Sequence, residues 1–492
     1  MFKVLIANRG EIAIRIMRAC RELGFTSVAV YSEADQDALH TRYADEACLI
    51  GPAEAKQSYL NIDRIIEVAL EKGVDAIHPG YGFLSENEEF ATKIEEAGMI
   101  FIGPRPETIA LTGDKLAARR IAREAGLKVL AGPDIPLNGT MNALEVDFPV
   151  MVKAISGGGG RGIRVAHNRK ELTEMVEMAR REAQASFGSD GIYLEPFVNS
   201  ARHIEVQIAG DGEGNILILG ERECSIQRRR QKLVEESPAP GLESGQREMV
   251  NEYARQLGEA LNYRNLGTVE FLLADNGEFY FIEVNPRIQV EHPVTELVVG
   301  LDLVRMQLKL ATCGELNYSQ EQILMRGVAI EARVLAEDVA NHFLPATGTI
   351  THLKEPDGPG VRVDSAMYLG MDVTTHYDSL LAKVIVWGED RETAVQRLNR
   401  ALKEFQINGV ETDIEFLSKI VSDERFVEGA YDTTFLDTFK PDLKQHSEGL
   451  EKLVALATAL VAHAQQNSKR PERVQENNWR KTAWLEQMRG SI

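Results

Sequence analysis

The segment VMVKAISGGGGRGIRV, residues 150–165, places four consecutive glycines between two apolar stretches that read as β-strands. A glycine run loses much conformational entropy on folding, so a folded chain keeps one where the backbone must move or approach a ligand. A P-loop would continue with GK[ST] into a helix, whereas GIRVA after this run reads as a second strand. We therefore predict a hairpin flap that closes over nucleotide phosphates, with Lys153 as a positive charge beside them. A flexible hairpin tip without a ligand is the alternative.

A second hairpin is predicted further along the chain. The segment TVEFLLADNGEFYFIEVNPR, residues 268–287, has two alternating apolar runs on either side of Asn276-Gly277. That dipeptide is typical of two-residue type I′ turns. With those two residues as the loop, Asp275 pairs with Glu278, and this pairing fixes the register of the two strands.

The predicted register indicates a metal site. It places Glu270 directly opposite Glu283, and Asn285 lies two residues further along on the same face. Like charges that face each other across a sheet destabilise it, and a cation between them removes the repulsion. A few carboxylate ligands beside a phosphate-binding flap favour Mg²⁺, which also binds nucleotide phosphates. Two glutamates on a solvated face are the alternative.

The N-terminal part of the chain alternates short apolar runs with stretches of helical period, the pattern of a parallel sheet wound with helices. One helix has an apolar stripe that begins at Ile12, and we expect Glu11 and Arg15 to form an exposed i,i+4 pair on its other face. A dinucleotide-binding fingerprint needs three glycines after the first strand, and ANRGEIA has one, so NAD binding is disfavoured. The predicted strands are KVLIAN, SVAVY, EACLI, DAIHP and IFIG.

Composition and charge exclude several classes of function. The chain has 492 residues, of which 44% are hydrophobic and 26% charged, and a formal net charge of −20. The acidic balance argues against nucleic acid or an anionic membrane as a partner, and the longest apolar tract, LVALATALVAHA, is too short to span a bilayer. The four cysteines are scattered without CxxC motifs, and the N-terminus enters a strand without a signal peptide. We expect a cytoplasmic protein.

Several longer motifs are specific enough to indicate a family. They are IANRGEIAIRI, HPGYGFLSEN, SGGGGRG, LEPFVNSARHIEVQI, SIQRRRQKLVEESPAPG and FIEVNPRIQVEHPVTE, together with Lys153. From about Phe2 to Phe439 the chain resembles biotin carboxylase, the ATP-grasp component of biotin-dependent carboxylases. The resemblance implies a ligase that carboxylates biotin through carboxyphosphate, using ATP, bicarbonate and Mg²⁺ or Mn²⁺.

The resemblance also implies a fold of the α/β and α+β classes in four parts. An N-terminal domain of βαβ units around a parallel sheet spans residues 1–113. An ATP-grasp domain spans residues 114–330, with a mobile glycine-rich lid at about 131–202. A C-terminal α+β domain spans residues 331–440, and a helical extension spans residues 441–492.

Catalytic and bicarbonate-binding roles follow from the resemblance, residue by residue. Glu291 resembles the general base that deprotonates bicarbonate, and Arg333 resembles the cation that stabilises the biotin enolate. Lys232 is expected on the γ-phosphate side of the site. The residues expected to hold bicarbonate are Arg287, Gln289 and Val290.

The resemblance also implies ligands for the nucleotide and its metal ion. Mg²⁺ is assigned to Glu270 and Glu283 with help from Asn285, in agreement with the hairpin argument. Lys115 and Lys153 are expected to hold the ATP phosphates. The other expected nucleotide-binding residues are Gly157, Gly158, Gly159, Gly160, Glu195, Val198, His203 and Gln227, with Glu195 and His203 near the adenine and ribose.

Two absences in the sequence bear on partners. The chain contains no Met-Lys dipeptide of a biotinyl-lysine motif and no room for a carboxyltransferase domain. We therefore expect biotin on a separate carrier or carboxyltransferase subunit, and a homodimer of this chain within the larger complex. EVNPR, residues 283–287, resembles pyruvate carboxylases and favours the stand-alone ATP-grasp subunit of a two-subunit pyruvate carboxylase. The corresponding part of an acetyl- or propionyl-CoA carboxylase is the alternative, and another ATP-grasp ligase is disfavoured.

The C-terminal extension carries an apolar helical stripe and, beyond a basic stretch, two tryptophans. Large aromatics near a chain end favour a docking anchor, so we hypothesise that the segment after Ser468 binds the biotin-bearing partner. A helix packed on its own domain is the alternative. The residues of the stripe and the anchor are Leu450, Leu453, Val454, Ala457, Leu460, Val461, Trp479, Trp484 and Met488.

Overall fold

The structure is a computed structural model. It describes residues 2–130, 132, 146–155, 163–187, 191–442, 455–461 and 463, with the backbone alone for 185–187. Residues 1–441 form one compact unit and residues 442–492 form a second. Within the described ranges, no helix combines the length and the apolar character that crossing a membrane requires.

The N-terminal part folds into the predicted parallel sheet, with strand order β3-β2-β1-β4-β5. Leu5 packs against one layer of helices and Val4 and Ile6 against the other, so both faces of the sheet are buried. This explains why its strands read as continuous apolar runs. The elements are β1 (Lys3–Ile6), α1 (Gly10–Glu22), β2 (Thr26–Ser32), α2 (Leu39–Tyr43), β3 (Glu46–Gly51), α3 (Ile62–Lys72), β4 (Ala76–His78), α4 (Glu88–Glu96), β5 (Ile100–Phe101) and α5 (Pro106–Gly113).

The prediction of an exposed Glu11/Arg15 pair on α1 is wrong. Both residues are 7% exposed. Arg15 donates to Glu296, and Glu11 forms an ion pair with Lys383. The polar face of α1 packs against later parts of the chain, so the i,i+4 spacing marks a buried contact and not a solvated face.

The middle of the chain contributes most of a large antiparallel sheet and a separate sheet of order β7-β6-β8. β6 and β7, which flank the glycine run, pair antiparallel as the hairpin prediction requires, while Gly157–160 lie outside the described residues. The elements are α6 (Lys115–Glu124), β6 (Val150–Ala154), β7 (Arg164–Ala166), α7 (Arg169–Phe187), β8 (Ile192–Pro196), β9 (Arg202–Asp211), β10 (Ile216–Arg228), β11 (Gln231–Ser237), α8 (Ser244–Ala260), β12 (Arg264–Leu273), β13 (Phe279–Asn285), α9 (His292–Val299) and α10 (Leu303–Cys313).

The large sheet continues into the C-terminal part of the same compact unit. Its eight strands follow the order β13-β12-β9-β10-β11-β14-β21-β19, and all neighbours are antiparallel. The elements are β14 (Val328–Leu335), β15 (Glu337–Asp338), β16 (Leu344–Pro345), β17 (Gly348–Thr349), β18 (His352–Lys354), β19 (Val361–Ser365), β20 (Asp372–Val373), β21 (Leu380–Gly388), α11 (Arg391–Glu404), β22 (Gln406–Asn408), α12 (Ile414–Val421), α13 (Glu424–Glu428) and α14 (Phe435–Thr438). The predicted α/β and α+β fold class is thereby confirmed.

The β12–β13 hairpin has the predicted pairing of Glu270 with Glu283 but not the predicted turn. Ala274 pairs with Glu278, and the Gly277 N–H donates to the Ala274 carbonyl, so the loop has one residue more than expected. A bulge between the Glu270/Glu283 and Phe271/Phe281 pairs then restores the predicted register. The pairing of Asp275 with Glu278 is therefore wrong, and Gly277 takes the positive φ of 79° that such a turn requires.

The second unit contributes a short described segment. Residues 455–461 and 463 are helical, and Leu456 and Leu460 are each 62% exposed. The remaining residues of the predicted stripe and anchor lie outside the described residues: Leu450, Leu453, Val454, Ser468, Trp479, Trp484 and Met488.

Candidate active site

A row of charged side chains crosses the large sheet at one level. Glu283 pairs with Glu270, Glu270 with Glu205, and Glu205 with Arg222, so four neighbouring strands each place one charged residue in the row. The alternating residues Ile204, Val206 and Ile208 of β9 belong to the apolar core on the other face. Strand alternation therefore separates an apolar face from a charged one.

Lys232 on β11 lies at the centre of this charged face. Its ammonium is 2.5 Å from Glu205 Oε2, 3.0 Å from Glu270 Oε1 and 2.6 Å from Glu291 Oε1. All three carboxylates are buried. Buried carboxylates need compensating charge, and one ammonium cannot neutralise three of them, so further cations are required nearby.

Arg222 and His203 supply part of that charge. The guanidinium of Arg222, fully buried, donates to Glu205 at 2.5 Å and to Gln289 at 2.7 Å. His203 Nε2 lies 3.2 Å from Glu270 Oε2. Burial by itself lowers the pKa of His203, but Glu270 and Glu205 outweigh it and raise the pKa to about 9.

Glu291 stands at the start of α9 between two cations. Lys232 binds one of its oxygens, and Arg333 Nη2 donates to the other at 2.9 Å. Burial favours the neutral acid, yet Lys232 and Arg333 outweigh it and lower the pKa of Glu291 to about 2. The side chain is therefore a carboxylate at neutral pH, as a general base must be.

Arg333 on β14 is itself fixed by a second carboxylate. Its Nε donates to Glu235 Oε1 at 2.6 Å while its Nη2 reaches Glu291. Burial raises the pKa of Glu235 to about 7, against the lowering effect of Arg333. The guanidinium is held in one orientation by a carboxylate on each side.

The predicted metal ligands lie together at the β13 end of the row. Asn285 Nδ2 and Gln289 Nε2 donate to Glu270 Oε1 at 2.9 and 3.0 Å. Burial and the neighbouring Glu270 raise the pKa of Glu283, which forms no ion pair within the described residues. Hard oxygen ligands with an uncompensated carboxylate fit Mg²⁺. Two other groups have ligand atoms close enough for a metal: His203 with Glu205 and Glu270, and Cys224 with Glu205 and Glu291.

Three of the predicted nucleotide-binding residues, Lys115, Lys153 and Glu195, form a second cluster that adjoins the first through Glu283. Lys153 is ion-paired with Glu195, which also accepts from Arg119 at 2.5 Å. Burial lowers the pKa of Lys115, while Glu283 opposes this shift. Val198 is half-buried and lies shortly after the end of β8. The structure places His203, with Gln227 at 3.2 Å from its Nδ1, in the Lys232 cluster, apart from the Lys153–Glu195 pair with which it was grouped.

The predicted bicarbonate residues form the loop between β13 and α9. Arg287 donates to Glu86 at 2.5 Å and to Asn285 at 3.0 Å. Gln289 bridges Arg222 and Glu270, and the carbonyl oxygen of Val290 accepts from Lys383 at 2.9 Å. The polar groups of this loop are thus held in place by their hydrogen-bond and ion-pair partners.

Sequence reasoning missed five charged residues of this site, and two patterns point to two of them, Glu205 and Lys383. Polar residues at every second position of HIEVQI, Glu205 among them, read as a solvated face, whereas here they form part of the site. Lysine inside the apolar run LLAKVIVWG is the other signal, because a charge in a central strand needs buried partners. The missed residues are Glu86, Glu205, Arg222, Glu235 and Lys383.

The arrangement combines positive charges suited to a polyanion with a carboxylate that is ionised at neutral pH. Lys232 and Arg333 can exchange their carboxylate partners for anionic ligands. Glu291 lies between the two cations, within reach of a ligand bound to either. A site of this kind can bind two oxyanions side by side and promote the attack of one on the other.

Three family models match successive parts of the chain. The model "Biotin carboxylase, N-terminal domain" matches residues 1–109. The model "Carbamoyl-phosphate synthase L chain, ATP binding domain" matches residues 114–319, and "Biotin carboxylase C-terminal domain" matches residues 331–438.

Similar proteins cover nearly the same range. Biotin carboxylase 1 of Bacillus subtilis is 48% identical over 442 residues, which are 89% of this chain and 98% of that protein. A pyruvate carboxylase subunit of Methanothermobacter thermautotrophicus is 47% identical over 442 residues, 89% of this chain and 90% of that protein. The biotin carboxylase domain dimer of Hydrogenobacter thermophilus 2-oxoglutarate carboxylase, solved with MgADP, ADP and bicarbonate, has a TM-score of 0.86 at 46% identity and matches 88% of this chain and 97% of its own.

Proposed function

The chain belongs to the biotin carboxylase family, an ATP-dependent ligase family, and on that premise we propose that it is the biotin carboxylase subunit of a pyruvate carboxylase. It carboxylates biotin with ATP and bicarbonate, and the biotin is carried by a separate subunit. The observation that carries the proposal is the placement of Lys232 and Arg333 on either side of the Glu291 carboxylate. Two cations and a base in one buried cluster match the activation of bicarbonate by a phosphate donor.

Glu291 acts as the general base for bicarbonate. With a pKa of about 2 it is a weak base while Lys232 binds it. When the γ-phosphate of ATP takes the ammonium of Lys232, that stabilisation of the carboxylate weakens and its basicity rises. Proton removal then lets a bicarbonate oxygen attack the γ-phosphate, which gives carboxyphosphate and ADP.

Arg287, Gln289 and Val290 hold bicarbonate beside this base. Arg287 offers a guanidinium that is already oriented by Glu86, and planar forks of this kind match the oxygens of a small oxyanion. Carboxyphosphate breaks down to CO₂ and phosphate, and the phosphate takes the ureido proton of biotin. Arg333, oriented by Glu235, stabilises the resulting enolate, whose nitrogen attacks the CO₂.

Glu270, Glu283 and Asn285 hold the divalent cation of the nucleotide. Mg²⁺ or Mn²⁺ supplies neutralisation of phosphate charge. The raised pKa of Glu283, which has no ion pair among the described residues, supports this assignment, because a bound cation removes the repulsion from Glu270. The nucleotide phosphates bind Lys115, Lys153 and the glycines 157–160, and the remaining nucleotide contacts come from Glu195, Val198, His203 and Gln227.

The domain boundaries proposed are 1–113, 114–330, 331–440 and 441–492, with the lid at about 131–202. The break between α5, which ends at Gly113, and α6, which begins at Lys115, supports the first boundary. We place the protein in the cytoplasm, on the ground that its four cysteines are scattered along the sequence without CxxC motifs.

The proposed acceptor of the carboxyl group is pyruvate, and carboxylated biotin reaches it on a carrier and carboxyltransferase subunit bound to a homodimer of this chain. The likeness to the Methanothermobacter pyruvate carboxylase subunit over 90% of that protein supports this choice, as does the proline of EVNPR. The second candidate is the biotin carboxylase subunit of an acetyl- or propionyl-CoA carboxylase. Purification of the chain with its natural partners, followed by carboxylation assays on pyruvate, acetyl-CoA and propionyl-CoA, distinguishes these candidates.

The activity itself is tested with the purified chain and free biotin. We expect ADP formation that requires bicarbonate and increases when biotin is added. ADP formation that ignores bicarbonate, or that responds to ammonia or to an amino-acid substrate in its place, indicates another ATP-grasp ligase and contradicts the proposal.

A further inference from the structure

Lys383 is a fully buried cation on β21 that none of the roles above uses. Its ammonium donates to the carbonyl oxygen of Val290 at 2.9 Å. It also lies 3.2 Å from Glu11 Oε1 and 3.7 Å from Asp364 Oδ2. The lysine therefore joins a loop of the site to α1 and β19.

The two carboxylates that form ion pairs with Lys383 are themselves fixed. Glu11 also accepts a hydrogen bond from the Tyr81 hydroxyl. Asp364 accepts two from Arg362, at 2.9 and 2.7 Å. A donor held by partners with fixed positions has little freedom to follow a moving acceptor, so the acceptor is fixed instead.

The carbonyl that Lys383 binds belongs to the peptide that connects Val290 to Glu291. Because a peptide unit is planar, fixing the Val290 oxygen also fixes the direction of the Glu291 N–H and the point from which its side chain departs. The neighbouring carbonyls are held locally: His292 binds the Gln289 oxygen at 2.8 Å, and the Val294 N–H donates to the Glu291 oxygen at 3.3 Å. The central carbonyl of the loop is held from another part of the chain.

The sheet register explains why Lys383 reaches this point. Lys383 pairs directly with Arg333 of β14 on one side and with Asp364 of β19 on the other, so the three side chains share a face. Arg333 contacts the carboxylate of Glu291, and Lys383 contacts the carbonyl that precedes it. Two neighbouring side chains in one row of the sheet therefore hold the carboxylate of Glu291 and the peptide group that precedes it.

We propose that Lys383 is a positioning residue for the bicarbonate-binding loop 287–291, which sets the place of the Glu291 base relative to Arg333. This role rests on the proposed function. A buried ion pair contributes little net stability compared with apolar side chains of similar size, whereas a displacement of about 1 Å in a reacting group costs about 10²-fold in rate. Lys383 therefore contributes by positioning the loop and not by adding net stability.

The test compares Lys383→Met with a matched control, Arg391→Met, in the full chain. Arg391 is another cation that binds a buried carboxylate, Glu236, and a backbone carbonyl, that of Phe426, but it touches no residue of the loop. We expect Lys383→Met to speed hydrogen exchange at residues 288–292 about tenfold. In the biotin-dependent reaction the KM for bicarbonate rises about tenfold and kcat falls similarly, with the KM for ATP changed less than about twofold. Arg391→Met leaves both the exchange and the bicarbonate KM near wild type.

Unchanged exchange at residues 288–292 in Lys383→Met overturns the proposal, as does an equal rise in the KM values for ATP and bicarbonate. If wild type shows no bicarbonate-dependent ADP formation, the proposed function fails, and the exchange measurement still decides the positioning role. Should Lys383→Met fail to fold, Glu11→Gln replaces it, because it weakens the hold on the lysine without removing it. That variant is expected to speed the same exchange about threefold, and no change contradicts the inference.

Discussion

At the scale of single residues, the site is a balance of buried charges. Glu291 and Glu270 share Lys232, and each has a second cation beside it, Arg333 or His203. Their pKa values are lowered because these cations outweigh burial. The same cations are then available to anionic substrates, so the free enzyme stores the positive charge that the reaction needs.

Glu291→Gln is expected to lower biotin-dependent turnover about 10²-fold or more, the scale of a lost general base, while ADP affinity stays near wild type. Steady-state ADP formation and calorimetric titration with MgADP measure the two quantities. Glu221→Gln, at another buried glutamate bound to an arginine, is the control and keeps its turnover. A parallel loss of nucleotide affinity in Glu291→Gln would instead assign Glu291 to the metal site.

His40 predicts a dependence of stability on pH. Burial lowers the pKa of His40 from 6.5 to about 4, so the unfolded chain binds a proton below pH 6.5 that the folded chain does not. The stabilisation is complete above pH 6.5 and is lost as the pH falls through 4, by up to about 3 kcal/mol. Urea unfolding at several pH values should give a shallower loss for His40→Gln than for wild type. The exposed His352→Gln is the control, and equal slopes for wild type and His40→Gln contradict the assignment.

At the scale of elements, the β12–β13 hairpin shows how far sequence reasoning reaches. Alternation predicted both strands and the facing of Glu270 and Glu283, because side-chain period and turn residues are local properties. The loop length and the bulge at Ile282 are not readable from the pattern, since a strand with one extra residue keeps its apolar character. The two one-residue differences, in the loop and at the bulge, cancel, so the predicted pair of Glu270 and Glu283 is right although the pairing nearer the turn is not.

Predictions for other elements failed where residues that fit a local spacing rule have their partners in distant parts of the chain. Glu11 and Arg15 obey the spacing of an exposed helical pair, but their partners, Lys383 and Glu296, come from far along the chain. Glu205 alternates with apolar residues like a residue of a solvated strand face, yet it is fully buried between Arg222 and Lys232. The spacing of residues within one element does not reveal partners that come from distant parts of the chain.

Glu270→Gln and Glu283→Gln should each raise the Mg²⁺ concentration needed for half-maximal ADP formation, by about tenfold, because each removes one anionic ligand. Glu278→Gln at the tip of the same hairpin, paired with Lys128, is the control and keeps the wild-type requirement. Titration of activity with Mg²⁺ at fixed ATP measures the effect. Wild-type metal dependence in both variants would exclude this carboxylate pair as the cation site.

At the scale of the whole molecule, the sequence separates a parallel N-terminal sheet from the rest but does not predict that one antiparallel sheet of eight strands runs from the middle into the C-terminal part. The step from β11 to β14 makes that connection. This pairing brings Arg333 beside Lys232 and Glu291, although the three residues belong to different sequence motifs. The site is therefore a product of the sheet as a whole and not of any one segment.

A chain that ends at Ser468 is expected to keep its kcat with free biotin within about twofold of wild type, because every described site residue lies in the unit of residues 1–441. If the removed segment docks on the partner, the coupled reaction with the carrier subunit slows and co-purification weakens. Loss of free-biotin activity or aggregation of the shortened chain would place the segment in this subunit's own core.

The most direct test of the central claim is transfer of ¹⁴C from labelled bicarbonate to free biotin by the purified chain. We predict label in biotin, measured at alkaline pH after removal of free CO₂, that requires ATP and Mg²⁺ and falls about 10²-fold in Glu291→Gln. ATP-dependent ADP formation without any label in biotin would contradict the account.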